Sequence, residues 1–401
     1  MERRDFLRGF GAIGCSAAAH PLLGTVTLAS GPGLGEQRLI VVILRGGMDG
    51  LDVVQPLHDR DFAALRPGLA RAEIALSGGF GLHAGLGGLF PLWQAGELAF
   101  VHATSTPYRD KRSHFDGQSL LEAGTGMDVA VAAARDGWLN RMVQAVPGLR
   151  AETAYAFGRE SMPLLAGSGP ALSWTPEVRV ELSSQARLLL EHVFHDDPLF
   201  REAGGTALRL SEEEVEMAAP APAAGGALVP GEDRPWRDVD RLADFAATRL
   251  RGETRIAAFS LSGWDTHRGQ GAALPRALSR LQRLVLRLKG ELGAEVWGRT
   301  TLMAMTEFGR TARENGSGGT DHGTAGAMLV AGGAVAGGRI LGRWPGLAEA
   351  DLYDRRDLMP TSDLRHWAGW AMRGLYGLDR SVLEGTVFPG MVLERDPGLL
   401  L

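Results

Sequence analysis

Several stretches of this 401-residue chain end an apolar run in acid and imidazole. In "AAFSLSGWDTH", Asp265 and His267 stand two residues apart directly after such a run. That spacing puts both side chains on one face of a strand, or lets them converge from a turn. A carboxylate beside an imidazole suits zinc, manganese or a similar divalent ion. The competing reading is local, with Asp265 capping the next helix and His267 on the surface. "TTLMAMTEFGRTARENGSGGTDHG" adds Glu307 where another apolar run closes, then Asp321 and His322 after a glycine-rich loop. Glu307 is either part of such a site or the partner of Arg310. The loop glycines permit close backbone approach to a ligand, without any phosphate-loop pattern. "VVILRGGMDGLD" carries Asp49 and Asp52 on a glycine turn.

A further stretch, "YRDKRSHFDGQSLLEAGTG", places Ser113 where a helix should begin. A serine there is either an N-cap or a nucleophile. In the second case the helix N-terminus with Arg109, Lys111 and Arg112 would stabilise an alkoxide and a bound oxyanion. His114 beside it serves as an acid, a ligand or neither.

The elements that must position these residues alternate. "RLIVVILRG", "ELAFVHATS", "AETAYAFG", "TRIAAFSLSG" and "TTLMAMTEFG" read as strands, continuous and apolar. Helical patterns fall over Leu86–Gln94, Ser113–Ala123, Gly137–Val146, Asp238–Leu250 and a basic amphipathic run ending near Lys289. Strands apolar on both faces, alternating with helices, predict a mostly parallel sheet covered on both sides. Ligands bind such sheets beyond the carboxyl ends of the strands, where the acidic motifs would sit. The stretch 210–234, rich in Ala, Pro and Gly after an acidic turn, reads as a flexible insertion in one domain spanning 36–401. "AGAMLVAGGAVAGG" is too short and glycine-broken for a membrane span. The "DLMPTSDLRHWAGWAMRGLYG" stretch takes a structural role, with Asp363 as a cap.

A net charge of -5, 45% hydrophobic and 22% charged residues describe an ordinary globular chain with no electrostatic case for nucleic acid. Arg3 and Arg4, then Phe6, Leu7 and a small apolar stretch to Ala29, read as a twin-arginine export signal over residues 1–29. Export to the periplasm by that machinery is therefore expected, with no transmembrane segment in the mature chain. Cys15 is the one cysteine, set in a poor match to a lipoprotein box, so cleavage would leave no thiol for disulfides, nucleophilic catalysis or metal binding.

Taken together, the arginine-pair signal, "LRGGMDGLD", "RSHFDGQSLLEAG", "GWLNRM", "GWDTH", "TEFGRT…GGTDHGTAGAMLVAGG" and "DLMPTSDLR" resemble an exported bacterial group, domain-of-unknown-function family 1501. The resemblance covers nearly the whole mature chain. That family is grouped with the alkaline phosphatase and sulfatase superfamily. It implies an α/β fold, a three-layer αβα sandwich on a mostly parallel central sheet. It also implies one or two divalent ions (zinc, manganese, calcium or magnesium) and hydrolysis of phosphate or sulfate esters, small molecules or glycans. The ligands so implied are Asp49, Asp265, His267, Glu307 and His322. Ser113 or a metal-activated water would attack, and Arg310 or Arg112 would clamp the oxyanion. Asp321 would replace a lost ligand, because Phe308 stands where the superfamily has a histidine. The alternative is a non-catalytic exported binding protein on the same fold, with at most a structural metal.

Overall fold

Strand β1, Arg38–Arg45, buries side chains on both faces. Ile40, Val42 and Leu44 enter one hydrophobic core, and Leu39, Val41 and Ile43 enter another. A strand of this kind needs cover on both sides. The computed structural model supplies it, describing residues 33–401 apart from 73, 110, 129–135, 159, 161 and 176–233. The expected signal over 1–29, with Cys15, and the insertion near 210–234 lie outside the described residues, save Arg234, which opens a helix.

After β1 come β2 (Leu98–Ser105), β3 (Ala154–Phe157), β4 (Leu172–Trp174), β5 (Ile256–Ser262), β6 (Thr300–Met305), β7 (Gly326–Ala331), β8 (Arg339–Leu341) and β9 (Ser362–Asp363). They form one nine-stranded sheet in the order β8-β2-β7-β6-β1-β5-β3-β4, with β9 paired to β2. All pairings are parallel except those of β7, which runs antiparallel to both β2 and β6. The fold is thus α/β on a mostly parallel sheet. The reversed β7 has one consequence for the site: its amino end lies at the rim where β1, β2, β5 and β6 end.

Helix α1 spans His114–Ala123, α2 Trp138–Ala145, α3 Arg234–Arg251, α4 Gln270–Trp297 and α5 Leu364–Tyr376. In α4, Leu274, Leu278, Leu281, Val285, Leu288 and Leu292 recur at helical spacing and join the first core with residues of α3. Trp138, Leu139, Met142 and Val143 of α2, and Leu364, Trp367, Ala371 and Met372 of α5, cover the opposite face. Helix α4 runs beyond the expected end near Lys289 because the chain breaks helical geometry only at Gly293, φ 68°, and then resumes. Asp363 caps α5, accepting from the Arg365 amide at 2.9 Å. No helix among the described residues is long and apolar enough to cross a membrane.

Candidate metal centre

Four connections converge at the carboxyl rim. The turn after β1 and the loop before α1 meet the turn between β5 and α4 and the excursion joining β6 to β7. The glycines that looked like a ligand cradle instead let these backbones touch. A Cβ on Gly309 would lie 1.8 Å from the Ala325 carbonyl oxygen, and one on Gly319 2.3 Å from that of Thr266. At Gly46, φ 123°, it would meet the Asp265 amide nitrogen at 2.5 Å.

The contact brings His114, Asp265 and His322 together, one ligand atom of each lying within 4.8 Å of the others. His267 completes the group: its Nε2 is 2.8 Å from His322 Nε2 and 3.2 Å from Asp265 Oδ1. The turn reading of "GWDTH" therefore holds, since residues 263–266 have no regular structure.

Each ring is fixed through its other nitrogen. His114 Nδ1 lies 2.7 Å from Glu307 Oε1, His267 Nδ1 3.0 Å from Asp321 Oδ1, and His322 Nδ1 2.8 Å from the Arg112 carbonyl. A carbonyl only accepts, and an ionised carboxylate only accepts, so all three Nδ1 atoms donate. In the neutral rings every Nε2 is then a bare lone pair. Two such lone pairs face each other across 2.8 Å, beside the Asp265 carboxylate, and His114 Nε2 is buried with no hydrogen-bond partner. Protonating His322 is opposed, because burial and the neighbouring His114, Arg310 and His267 hold its ring below the usual imidazole value. A divalent cation answers the arrangement, and the acceptors behind the rings match the outer partners that orient metal-binding histidines.

Asp265 is kept ionised. Burial pushes its carboxyl up, but the hydrogen bond and charge of Arg310 pull it below the ordinary range. Hydrogen bonds from Asn315 and His267 hold Asp321 low too. Glu307, fully buried, is raised by burial and brought down further by donors. Its Oε1 also accepts from the Gly46 amide at 2.9 Å and Gln118 Nε2 at 3.0 Å, and its Oε2 from Thr306 Oγ1 at 2.9 Å. Glu307 thus stands behind His114 rather than at the convergence point. Phe308, in the place of the expected histidine, packs its ring 4.9 Å from His114 and 5.0 Å from His322.

Four further expected site residues have other partners or positions. Asp49 is fully buried and bound to Arg66, whose Nη1 donates to Oδ2 at 2.8 Å while the guanidinium also holds the carbonyls of Ala312 and Thr311. Gln270 Nε2 at 2.7 Å and Thr320 Oγ1 at 3.1 Å share the same oxygen. With an arginine as counter-ion, Asp49 needs no metal. Gln270 also contacts Thr266, and Thr320 precedes Asp321, so the cluster ties the two ligand-bearing loops together. Arg310 is equally committed, to the carbonyls of Gly46, Gly47, Trp264 and Thr320 and to Asp265 at 2.7 Å. This buried guanidinium turns most of its N–H groups to protein acceptors, and through Nη2 it positions Asp265. Ser113 is the N-cap of α1, its Oγ accepting from the Asp116 amide at 3.3 Å. Arg112 carries an exposed side chain on a left-handed backbone, φ 52°.

Residues 99–382 match the family described as protein of unknown function, DUF1501. The chain belongs to that family. No functionally curated protein matches it by sequence. Among solved structures, it is similar to Ps i-CgsB in complex with k-i-k-neocarrahexaose, at 11% identity and TM-score 0.39, covering 88% of this chain and 75% of that one. A protein in the alkaline phosphatase superfamily from Vibrio parahaemolyticus matches at 10% identity and TM-score 0.38, over 94% of this chain and 77% of that one. A magnesium-containing mutant of TAB5 alkaline phosphatase matches at 12% and 0.35, over 76% and 93%. These likenesses concern the fold and are faint, so what this DUF1501 member does must be read from its own rim.

Proposed function

We propose that this protein is an exported hydrolase of phosphate or sulfate esters that works around a single divalent cation. One observation carries the reading: ligand atoms of His114, Asp265 and His322 lie within 4.8 Å of one another, with His267 Nε2 beside His322 and Asp265, at a rim open to solvent where the side chains of His267 and Asp265 are 40% and 47% exposed. Structural metal sites are closed, whereas catalytic ones keep a position open to substrate. Three nitrogen donors favour zinc or a similar borderline ion over calcium or magnesium, which prefer oxygen. Such an ion would polarise an ester oxygen and make a nearby water more acidic. His114, His267, His322 and Asp265 would hold it, Glu307, Asp321 and the Arg112 carbonyl would orient the rings, and Arg310 would keep Asp265 ionised. Asp49, paired with Arg66, leaves no second carboxylate set for another ion among the described residues. Water or Ser113 supplies the attacking oxygen.

The test is elemental analysis of the full chain, followed by a panel of phosphate monoesters, phosphate diesters and sulfate esters. We expect a single tightly held ion, turnover of at least one ester class, and loss of both in His267→Ala. Ser113→Ala separates the nucleophiles, since activity survives it if water attacks. Full metal loading with no turnover of any ester would favour the non-catalytic binding role, and no bound metal would sink the hydrolase and leave only that binding role.

A further inference from the structure

Two strands from the end of β6, the same rim carries a second concavity. It is a cavity of about 440 Å³ formed where β9 leaves the end of β2 and the C-terminal segment folds back beneath α5. Nothing in the metal centre uses it, although it contains the "TSDLRHW" stretch that the sequence offered only as structural. Its walls carry three guanidinium groups, on Arg343, Arg365 and Arg395, against two carboxylates, on Asp363 and Glu394. Asp363 is spent: Arg365 Nη2 reaches its Oδ2 at 2.8 Å, and Nε lies 3.1 to 3.2 Å from its two oxygens. The remaining nitrogen of that guanidinium, Nη1, is buried without any acceptor. Arg343 and Arg395 are exposed and have no side-chain acceptor among the described residues. His366 is tethered to the opposite wall, its Nδ1 3.3 Å from the Glu394 amide, and burial holds the ring below the ordinary imidazole value.

The balance is a donor surplus. A buried charged donor left without an acceptor carries an unrecovered desolvation cost, and guanidinium forks match the paired oxygens of sulfate, phosphate and carboxylate groups. We propose that this cavity is an oxyanion-binding site for a sulfate or phosphate group, held by Arg343, Arg365 and Arg395 and separate from the histidine cluster. Binding there does not depend on hydrolysis, so the proposal stands or falls apart from the proposed function.

Calorimetric titration of the full chain in low-salt buffer with sodium sulfate and sodium phosphate tests it. Saturable binding of at least one ion is expected, unchanged in His267→Ala and weakened about tenfold or more in the double variant Arg343→Ser with Arg395→Ser. Both arginines are exposed, so that variant should keep its fold, which circular dichroism would check. Glucose 6-sulfate and glucose 6-phosphate form a second arm: tighter binding than the free ions would assign the group to an esterified sugar, and equal binding to the free anion. No saturable heat with either ion, equal binding of chloride, an affinity the double variant leaves intact, or one that His267→Ala abolishes would each overturn the site.

Discussion

At the residue scale, the two buried acids of the rim have opposite fates, and their variants should separate. Glu307 orients His114. Glu307→Gln keeps the shape but turns part of the acceptor into a donor, so metal affinity should fall about 10- to 100-fold, read by competition with a chelator. Asp49 neutralises buried Arg66. Asp49→Ala would strand that charge and should cost about 3–5 kcal/mol of stability, read by urea unfolding. If Asp49 were a ligand instead, its loss would abolish metal binding at near-normal stability. The spacing of Asp265 and His267, and His322 ahead of an apolar strand, made those residues stand out in the sequence as candidates. Arg66 gave no signal, because its role is set by a buried carboxylate 17 positions away, across two short helices and a two-residue strand. His114 was visible only as a neighbour of Ser113. Its importance depends on Glu307, 193 residues away, and no local pattern reports such a pairing.

At the scale of elements, β1, β2, β3, β5 and β6 were readable because apolar runs buried on both faces leave little else for them to be, whereas the two- and three-residue strands β4, β8 and β9 are too short to carry such a pattern. The direction of β7 was not readable, since an apolar run carries no polarity of its own. That direction places His322 beside the ends of β5 and β6, and it is sustained by backbone contacts that only glycine permits. Gly309→Ala would drive a methyl into the Ala325 carbonyl. The expected loss is about 1–3 kcal/mol or more, accompanied by weaker metal binding because Arg310 and His322 face each other across the displaced excursion. Thermal unfolding with and without metal would check both parts. Full retention of affinity would show that the excursion between β6 and β7 is not what sets the site.

For the whole molecule, metal and protons should pull on the same equilibrium. An ion bound only by the folded chain adds about 2.7 kcal/mol at a free concentration about 100 times its Kd, so chelation should lower the melting temperature and His267→Ala should remove that response. Asp49 and Asp265 are held below the ordinary aspartate value of 3.8, so each contributes stability that is complete above 3.8 and is lost as pH falls through the lower folded value. His322, held below 6.5, resists a proton that the unfolded chain accepts, a penalty that grows as pH drops below 6.5. Asp52 opposes them: burial and Asp49 raise it, so its cost appears as pH climbs above 3.8. The urea midpoint should therefore decline below pH 6.5 and more steeply below 3.8. A midpoint constant over that whole interval would contradict these assignments.

The placement of β1 bears on how the chain reaches this state. Its neighbours in the sheet are β5 and β6, with Leu39 opposite Ile256 and Arg38 opposite Thr300. On the ribosome, this apolar strand thus stays unmatched until more than two hundred further residues have been made. Pairings so distant in sequence form slowly and leave sticky edges uncovered meanwhile. Newly made chains should accordingly lean on holding chaperones until β6 is out, and refolding from denaturant should lose material to aggregation as protein concentration rises.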